Sequence, residues 1–265
     1  IIATKLALSL SDYVVTEAGF GSDLGAEKFL DIKCQEANLK PELCVVVATI
    51  RALKLHGGAD ENNLECEDLE SLKKGLPNLE RHLNNMKKFG LPTICNINIF
   101  SSDTKNELEL LENWLNEKGF KFALNDAYSK GAEGAIDIAK LAVETIDENN
   151  SSFHPLYTKD MKLADKINLI CKEIYGAKNV IYSEKALAQL SEYEKKYSDF
   201  YVCMAKTPLS FSDDPKIKGA PDNFDIHIKR INLSHGAKFI VPLTGAIMTM
   251  PGLPKIPAAV KMEEE

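Results

Sequence analysis

The chain has 265 residues, 45% of them hydrophobic and 27% charged, enough for a sizeable core in one large domain or two smaller ones. A formal net charge of -7 and a pI near 5.4 exclude a global electrostatic pull on nucleic acid or anionic membrane. No apolar run approaches the ~20 residues of a membrane span, so the expectation is a cytoplasmic protein with neither nucleic acid nor membrane as partner.

The chain starts at Ile1, without Met, inside a helical pattern (Ile2, Leu6, Leu10), which leads us to expect a fragment. A helix over Ala3–Leu10 precedes Tyr13-Val14-Val15-Thr16-Glu17, expected as a buried strand. A Gly-rich turn and a helix around Ala26–Cys34 follow. Apolar runs at Leu43–Ile50, Leu91–Phe100 and Phe120–Leu124 are the next expected strands. Between them lie helix-prone segments at Glu61–Phe89 and Lys105–Lys118, the second with Ser102 and Asp103 available as caps. A helix over Glu133–Ile146 leads to the polar break Asp147–Ser152. Apolar strands separated by helices predict an α/β fold with a mostly parallel sheet over residues 1–147. Residues 148–265 predict a smaller α/β or α+β C-terminal region: helices at Met161–Tyr175 and Glu184–Tyr197, strands at Phe200–Ala205 and Phe224–Ile231, and a tail rich in Gly, Pro and Met.

Ligands of parallel sheets sit at the carboxyl ends of the strands, so the residues after Val15, Val47, Ile97 and Leu124 are the candidates. Glu17, before Gly19 and Gly21, suits a catalytic or Mg²⁺-holding carboxylate in a phosphate site; it suits equally a bond to a neighbouring helix N-terminus. Gly19, Gly21 and Gly25 are spaced one residue too widely for a dinucleotide fingerprint. Arg51, Lys54 and His56 form a cationic group suited to an anion or to a solvated helix start. Asn98 could meet a nucleotide base or an adjacent loop, and Phe100 could stack on a planar ligand or pack inward. Lys130 and Gly131 open a helix in the manner of a weak anion site. The six cysteines form no Cys-x-x-Cys pair and point to a reducing compartment. Gly-x-Ser-x-Gly and Gly-x-x-x-x-Gly-Lys-Ser/Thr are both missing from the sequence.

Taken together, several blocks resemble the formate–tetrahydrofolate ligases. They are TEAGFGSDLGAEKFLDIKC (Thr16–Cys34), VATIRALKLHGG (Val47–Gly58), NLERHLNNMKKFGLPTICNIN (Asn78–Asn98), KGAEGAIDIA (Lys130–Ala139), VCMAKTPLSFSDDP (Val202–Pro215) and TGAIMTMPGLPKIPAA (Thr244–Ala259). The resemblance implies the C-terminal half of an ATP-dependent enzyme joining formate to tetrahydrofolate through formyl phosphate. It also implies Mg²⁺, activation by K⁺ or NH4⁺, a homotetramer, and a modified P-loop nucleotide-binding fold. By position, Phe20, Phe100, Leu124 and Tyr128 would line the folate pocket, with Phe100 and Tyr128 around the pterin, Glu17 near metal and phosphates, and Asn98 near the base. This chain departs from many relatives at Tyr128 (Trp there), at Ile99 (Lys or Arg), at Pro208-Leu209 (Gln-Tyr) and in its charged C-terminus. On that resemblance the N-terminal half, with its phosphate loop, is expected to be missing from this chain, and this piece alone to be inactive. Two other readings are a non-catalytic folate-binding or assembly module and an ATP-dependent enzyme of the dethiobiotin synthetase type; the second does not explain the MAKT and MTMPGLP blocks.

Overall fold

In the computed structural model, residues 1–148, 150–245 and 247 are described; the Met248–Pro254 motif, like most of the expected Gly, Pro and Met tail, lies outside them. Helix α1 (Ile2–Leu10) buries none of its residues. The run after it is not a strand. Tyr13–Glu17 is irregular, and Val15 is 96% exposed. A β-branched run has a strand preference of only ~1 kcal/mol, and this one finds no ladder partner among the described residues. Residues 21–37 are helical but wide: π turns at Gly21–Ala26 and Phe29–Cys34 precede the single α turn α2 (Gln35–Ala37).

The next part of the chain alternates strand and helix, as expected. Strand β1 (Cys44–Ala48) leads into α3 (Ile50–His56), capped by the Thr49 hydroxyl, and then α4 (Leu69–Lys87), capped by Asp68. Strand β2 (Thr93–Asn98) is followed by α5 (Lys105–Glu117), and β3 (Lys121–Asn125) by α6 (Ala127–Lys130) and α7 (Ile136–Asp147). The strands form a parallel sheet in the order β1-β2-β3, with Ala48 beside Ile97 and Ile97 beside Leu124. Central β2 is buried almost throughout. The edge strand β1 exposes Val45 and Val47. Helices α3, α4 and α5 cover one core, where Leu53, Leu72, Leu79, Leu111 and Leu115 meet Ala48, Cys95 and Ile97.

Glycine sets how closely α3 and α4 approach. A Cβ on Gly75 would sit 1.8 Å from the Leu53 carbonyl oxygen, and one on Gly57 would sit 1.7 Å from that of Ser71. The cap of α5 is not Ser102 or Asp103 but Thr104, which forms a reciprocal capping box with Glu107.

Beyond residue 148 come α8 (Leu163–Leu169), which continues into a π turn at Ile170–Tyr175, then β4 (Asn179–Tyr182) and α9 (Glu184–Tyr197). Strand β5 (Tyr201–Val202) is shorter than expected. The Phe224–Ile231 run divides into β6 (Asp225–Ile228) and β7 (Arg230–Ser234), and β8 (Phe239–Leu243) follows. Strands β4 and β6 pair in parallel; β5 runs parallel and β7 antiparallel to β8. The second, larger core joins Leu30, Ile32, Met86 and Phe89 to Tyr157, Ile167, Val202, Ile226 and Ile240, so apolar packing crosses residue 147.

Candidate functional site at the strand ends

The carboxyl ends of β1, β2 and β3 carry Arg51, Asn98, Phe100 and Tyr128 at or just beyond them. After β2 the chain turns sharply. The Phe100 N–H donates to Asp103 Oδ2 at 2.8 Å, and the Asp103 N–H returns to the Phe100 carbonyl at 3.0 Å. This turn leaves the Phe100 ring 37% exposed. The Arg51 guanidinium, in the first turn of α3, lies 4.8 Å from that ring's centroid. Its Nη2 bonds Ser102 Oγ at 3.1 Å and Glu65 Oε1 at 3.0 Å. Three side-chain atoms of this region are buried without a hydrogen-bond partner: Arg51 Nε, Asp103 Oδ1 and Asn96 Oδ1. Such atoms are costly to leave unpaired and suit a polar ligand. Burial also pushes the Asp103 carboxyl above its ordinary range, against the pull of its bond from Phe100 and of Lys54 and Arg51.

Beyond β3, the Asn125 side chain accepts from the Ala127 N–H at 2.9 Å, and the Asp126 N–H donates to the Gly134 carbonyl at 3.1 Å. A Cβ on Gly134 would lie 2.3 Å from the Asp126 carbonyl carbon, so only glycine fits this closed loop. Gly131, at φ +59, supplies its left-handed turn. The loop holds out Tyr128, which is 96% exposed. Leu124 is half-buried at the edge of the first core, and Asn98 is half-buried opposite Asn125.

The other expected residues fall elsewhere. Lys54 is buried: its ammonium donates to Glu107 Oε1 and to the Cys66 carbonyl, each at 2.8 Å. Burial acts to raise the Glu107 pKa, but the bonds from Lys54 and from the Thr104 and Asp68 N–H groups outweigh it and hold the group below its usual value. His56, at the far end of α3, accepts from the Gly219 N–H at 3.2 Å. Burial, with Lys218 nearby, lowers its pKa. Arg51, Lys54 and His56 therefore do not converge on one anion. Lys130 pairs with Asp126 at 3.1 Å.

Glu17 is exposed and carries no hydrogen bond or ion pair among the described residues. Phe20 is 71% exposed at the start of the first π turn. No ring–ring contact among the described residues links Phe20, Phe100 and Tyr128, and all three are exposed. The wide Gly spacing also finds its use here. A Cβ on Gly25 would be 1.9 Å from the Ala18 carbonyl oxygen, so the turn carrying Glu17 and Phe20 lies directly on the helical segment that follows.

Asp103 is the site residue that sequence reasoning missed. It was available as a helix cap, and its place three residues after Phe100 was the sole signal of its role in the turn.

The family model described as formate–tetrahydrofolate ligase matches residues 1–265. Formate–tetrahydrofolate ligases of Staphylococcus aureus strains NCTC 8325 / PS 47, MSSA476 and MRSA252 are each 52% identical to it over 264 residues, covering 99% of this chain and 47% of the relative. The chain thus spans about half the length of the curated relatives it matches. With every residue inside the family model and half the positions identical to those relatives, the chain belongs to the formate–tetrahydrofolate ligase family.

Proposed function

We propose that this chain supplies the folate-binding part of an ATP-dependent ligase that joins formate to tetrahydrofolate. The family match over the whole chain carries the reading. In the reaction a formate oxygen attacks the γ-phosphorus of ATP, releasing ADP and leaving formyl phosphate. The N10 nitrogen of tetrahydrofolate then attacks the formyl carbon, expelling phosphate and losing a proton to give 10-formyltetrahydrofolate.

Phe100 and Tyr128, on neighbouring strand ends, offer flat apolar faces to the pteridine, with Leu124 and Phe20 at its margin. Arg51 backs the Phe100 ring and offers a cation to a carboxylate or phosphate. The side-chain amide of Asn98 both donates and accepts, as a nucleotide base requires.

Among the described residues no group of three or more His, Cys, Asp or Glu is gathered as a metal site. Mg²⁺ would enter on the nucleotide phosphates, as is usual for that ion, with Glu17 the carboxylate we assign to it. Activation by K⁺ or NH4⁺, a P-loop type of sheet, a homotetramer and a cytoplasmic setting complete the proposal. No described helix is long and apolar enough to cross a membrane. Since the chain contains no phosphate-loop motif, we expect it to bind folate but not to turn over ATP by itself.

The test is steady-state kinetics on the full-length natural protein containing this chain. Phe100→Ala with Tyr128→Ala should raise KM for tetrahydrofolate at least ~10-fold while KM for ATP holds, since an aromatic pair contributes ~0.5–1.5 kcal/mol beyond its buried area. An unchanged KM for tetrahydrofolate would remove the folate assignment.

A further inference from the structure

Among the described residues the turn that carries Glu17 and Phe20 makes no hydrogen bond to the sheet, and buried residues follow directly after it. Asp23, in the π turn Gly21–Ala26, accepts a 2.8 Å bond from the Lys206 ammonium. The Lys206 side chain is wholly buried. Its other donors go to the Thr207 carbonyl at 3.0 Å and to the Ser210 carbonyl, so all three N–H groups are used. The ammonium also lies 5.0 Å from the centroid of the Tyr175 ring. Burial lowers the Lys206 pKa, opposed by the Asp23 carboxylate.

The same π turn is tied to α4. Ser22 Oγ bonds His82 Nδ1 at 2.6 Å, and Asn85 donates to Ser22 Oγ at 3.2 Å. Burial takes the His82 pKa down to about 4, so its ring is neutral and accepts at Nδ1. From Asp23 the chain runs two residues on to Gly25, where an added Cβ would meet the Ala18 carbonyl oxygen at 1.9 Å and Gly19 at 2.7 Å.

We propose that Lys206 is a positioning residue for the substrate site. Through Asp23 and Gly25 it sets the turn bearing Glu17 and Phe20, so a loop of the C-terminal region governs folate binding without touching the ligand. This assignment rests on the folate-binding reading above. The Lys206 ammonium is directional, with three acceptors in fixed places, and an apolar replacement can fill its volume but cannot orient Asp23.

The experiment uses the full-length natural protein containing this chain and compares Lys206→Met, Lys206→Arg and the uncharged pair Asp23→Leu with Lys206→Met. KM for tetrahydrofolate, KM for ATP, kcat and the thermal midpoint are measured for each. Loss of folded protein lowers apparent kcat and leaves both KM values alone, whereas a displaced turn raises KM for tetrahydrofolate.

The expected result for the uncharged pair is a thermal midpoint close to wild type with KM for tetrahydrofolate raised at least ~5-fold. Lys206→Arg should retain part of the affinity. Should Lys206→Met fail to fold, the uncharged pair and Lys206→Arg decide. A folded variant without the Lys206 ammonium and with wild-type KM for tetrahydrofolate would overturn the proposal, as would failure of all three variants to fold, which would make Lys206 a folding residue only. Failure of the folate reading would show separately, as an unchanged KM in the Phe100 and Tyr128 variants.

Discussion

Glu27 lies at the centre of an unusual group: its two carboxylate oxygens, Asp31 Oδ2 and the Tyr175 hydroxyl are all buried without a hydrogen-bond partner. Burial raises the Glu27 pKa to about 7, against the pull of Lys28, and burial with the Glu27 charge raises that of Asp31. Above the carboxylate's ordinary pKa the unfolded chain has released the Glu27 proton while the folded chain still holds it. Stability therefore falls as pH rises from about 4.5 to about 7. Glu27→Gln keeps the shape and removes the titration. Its thermal midpoint should exceed that of wild type at pH 8 and approach it at pH 5; equal midpoints at pH 8 would show that burial of this charge costs little.

Lys54 illustrates what residue types and spacing leave out. Three cationic residues after a strand end suggested one anion site. Yet a helix rises ~1.5 Å per residue, so Lys54 and His56 sit progressively farther from the strand end than Arg51. Lys54 is turned into the core by Glu107, a partner 53 positions away that no local pattern reveals. Lys54→Met would leave Glu107 buried without a countercharge, its bonds from the Asp68 and Thr104 N–H groups remaining, a loss of ~3 kcal/mol by urea unfolding. Adding Glu107→Gln, which removes the charge, should recover part of that loss.

Among the elements, strand–helix alternation from residue 44 to 147 was legible because each apolar run is bounded by Gly, Pro or a cap residue. Cap choice was less so: Ser102, Asp103 and Thr104 are all good capping types. Thr104 wins because Glu107 stands three residues on and bonds back to it. Thr104→Ala should cost ~1 kcal/mol of stability by denaturant titration, with Ser102→Ala far milder. Tyr13–Glu17 misled for a different reason. Its β-branched residues express a preference for a pleated, half-buried surface, and a strand needs a neighbour that composition does not supply. The π turns had no signature at all, since their extra residue per turn follows from packing and not from an apolar period. At the α3–α4 crossing, Gly75→Ala would push a methyl group into the Leu53 carbonyl, and a ~1–3 kcal/mol destabilisation is expected.

At the scale of the molecule, the two cores divide labour. One underlies the three-stranded sheet, whose carboxyl edge leads into Arg51, Asn98, Phe100 and Tyr128. The other joins the helical segment after Gly21 to the C-terminal strands, so that Asp23, Lys206 and Tyr175 form one buried unit. The strand ends were readable as the candidate site from the order of elements, because parallel sheets present their ligands there. The support of the Glu17–Phe20 turn by Lys206 was not, because it spans 183 positions of sequence.

The central claim is that the pteridine of tetrahydrofolate lies between Phe100 and Tyr128. A crystal structure of the full-length natural protein containing this chain, with tetrahydrofolate bound, tests it most directly. The pteridine should lie with its centroid ~4.5–7 Å from both rings, the range for stacked or edge-to-face aromatics. A pteridine seated away from the strand ends, such as in the open cleft of about 530 Å³ beside Thr207, Asp213 and His227, would contradict the account.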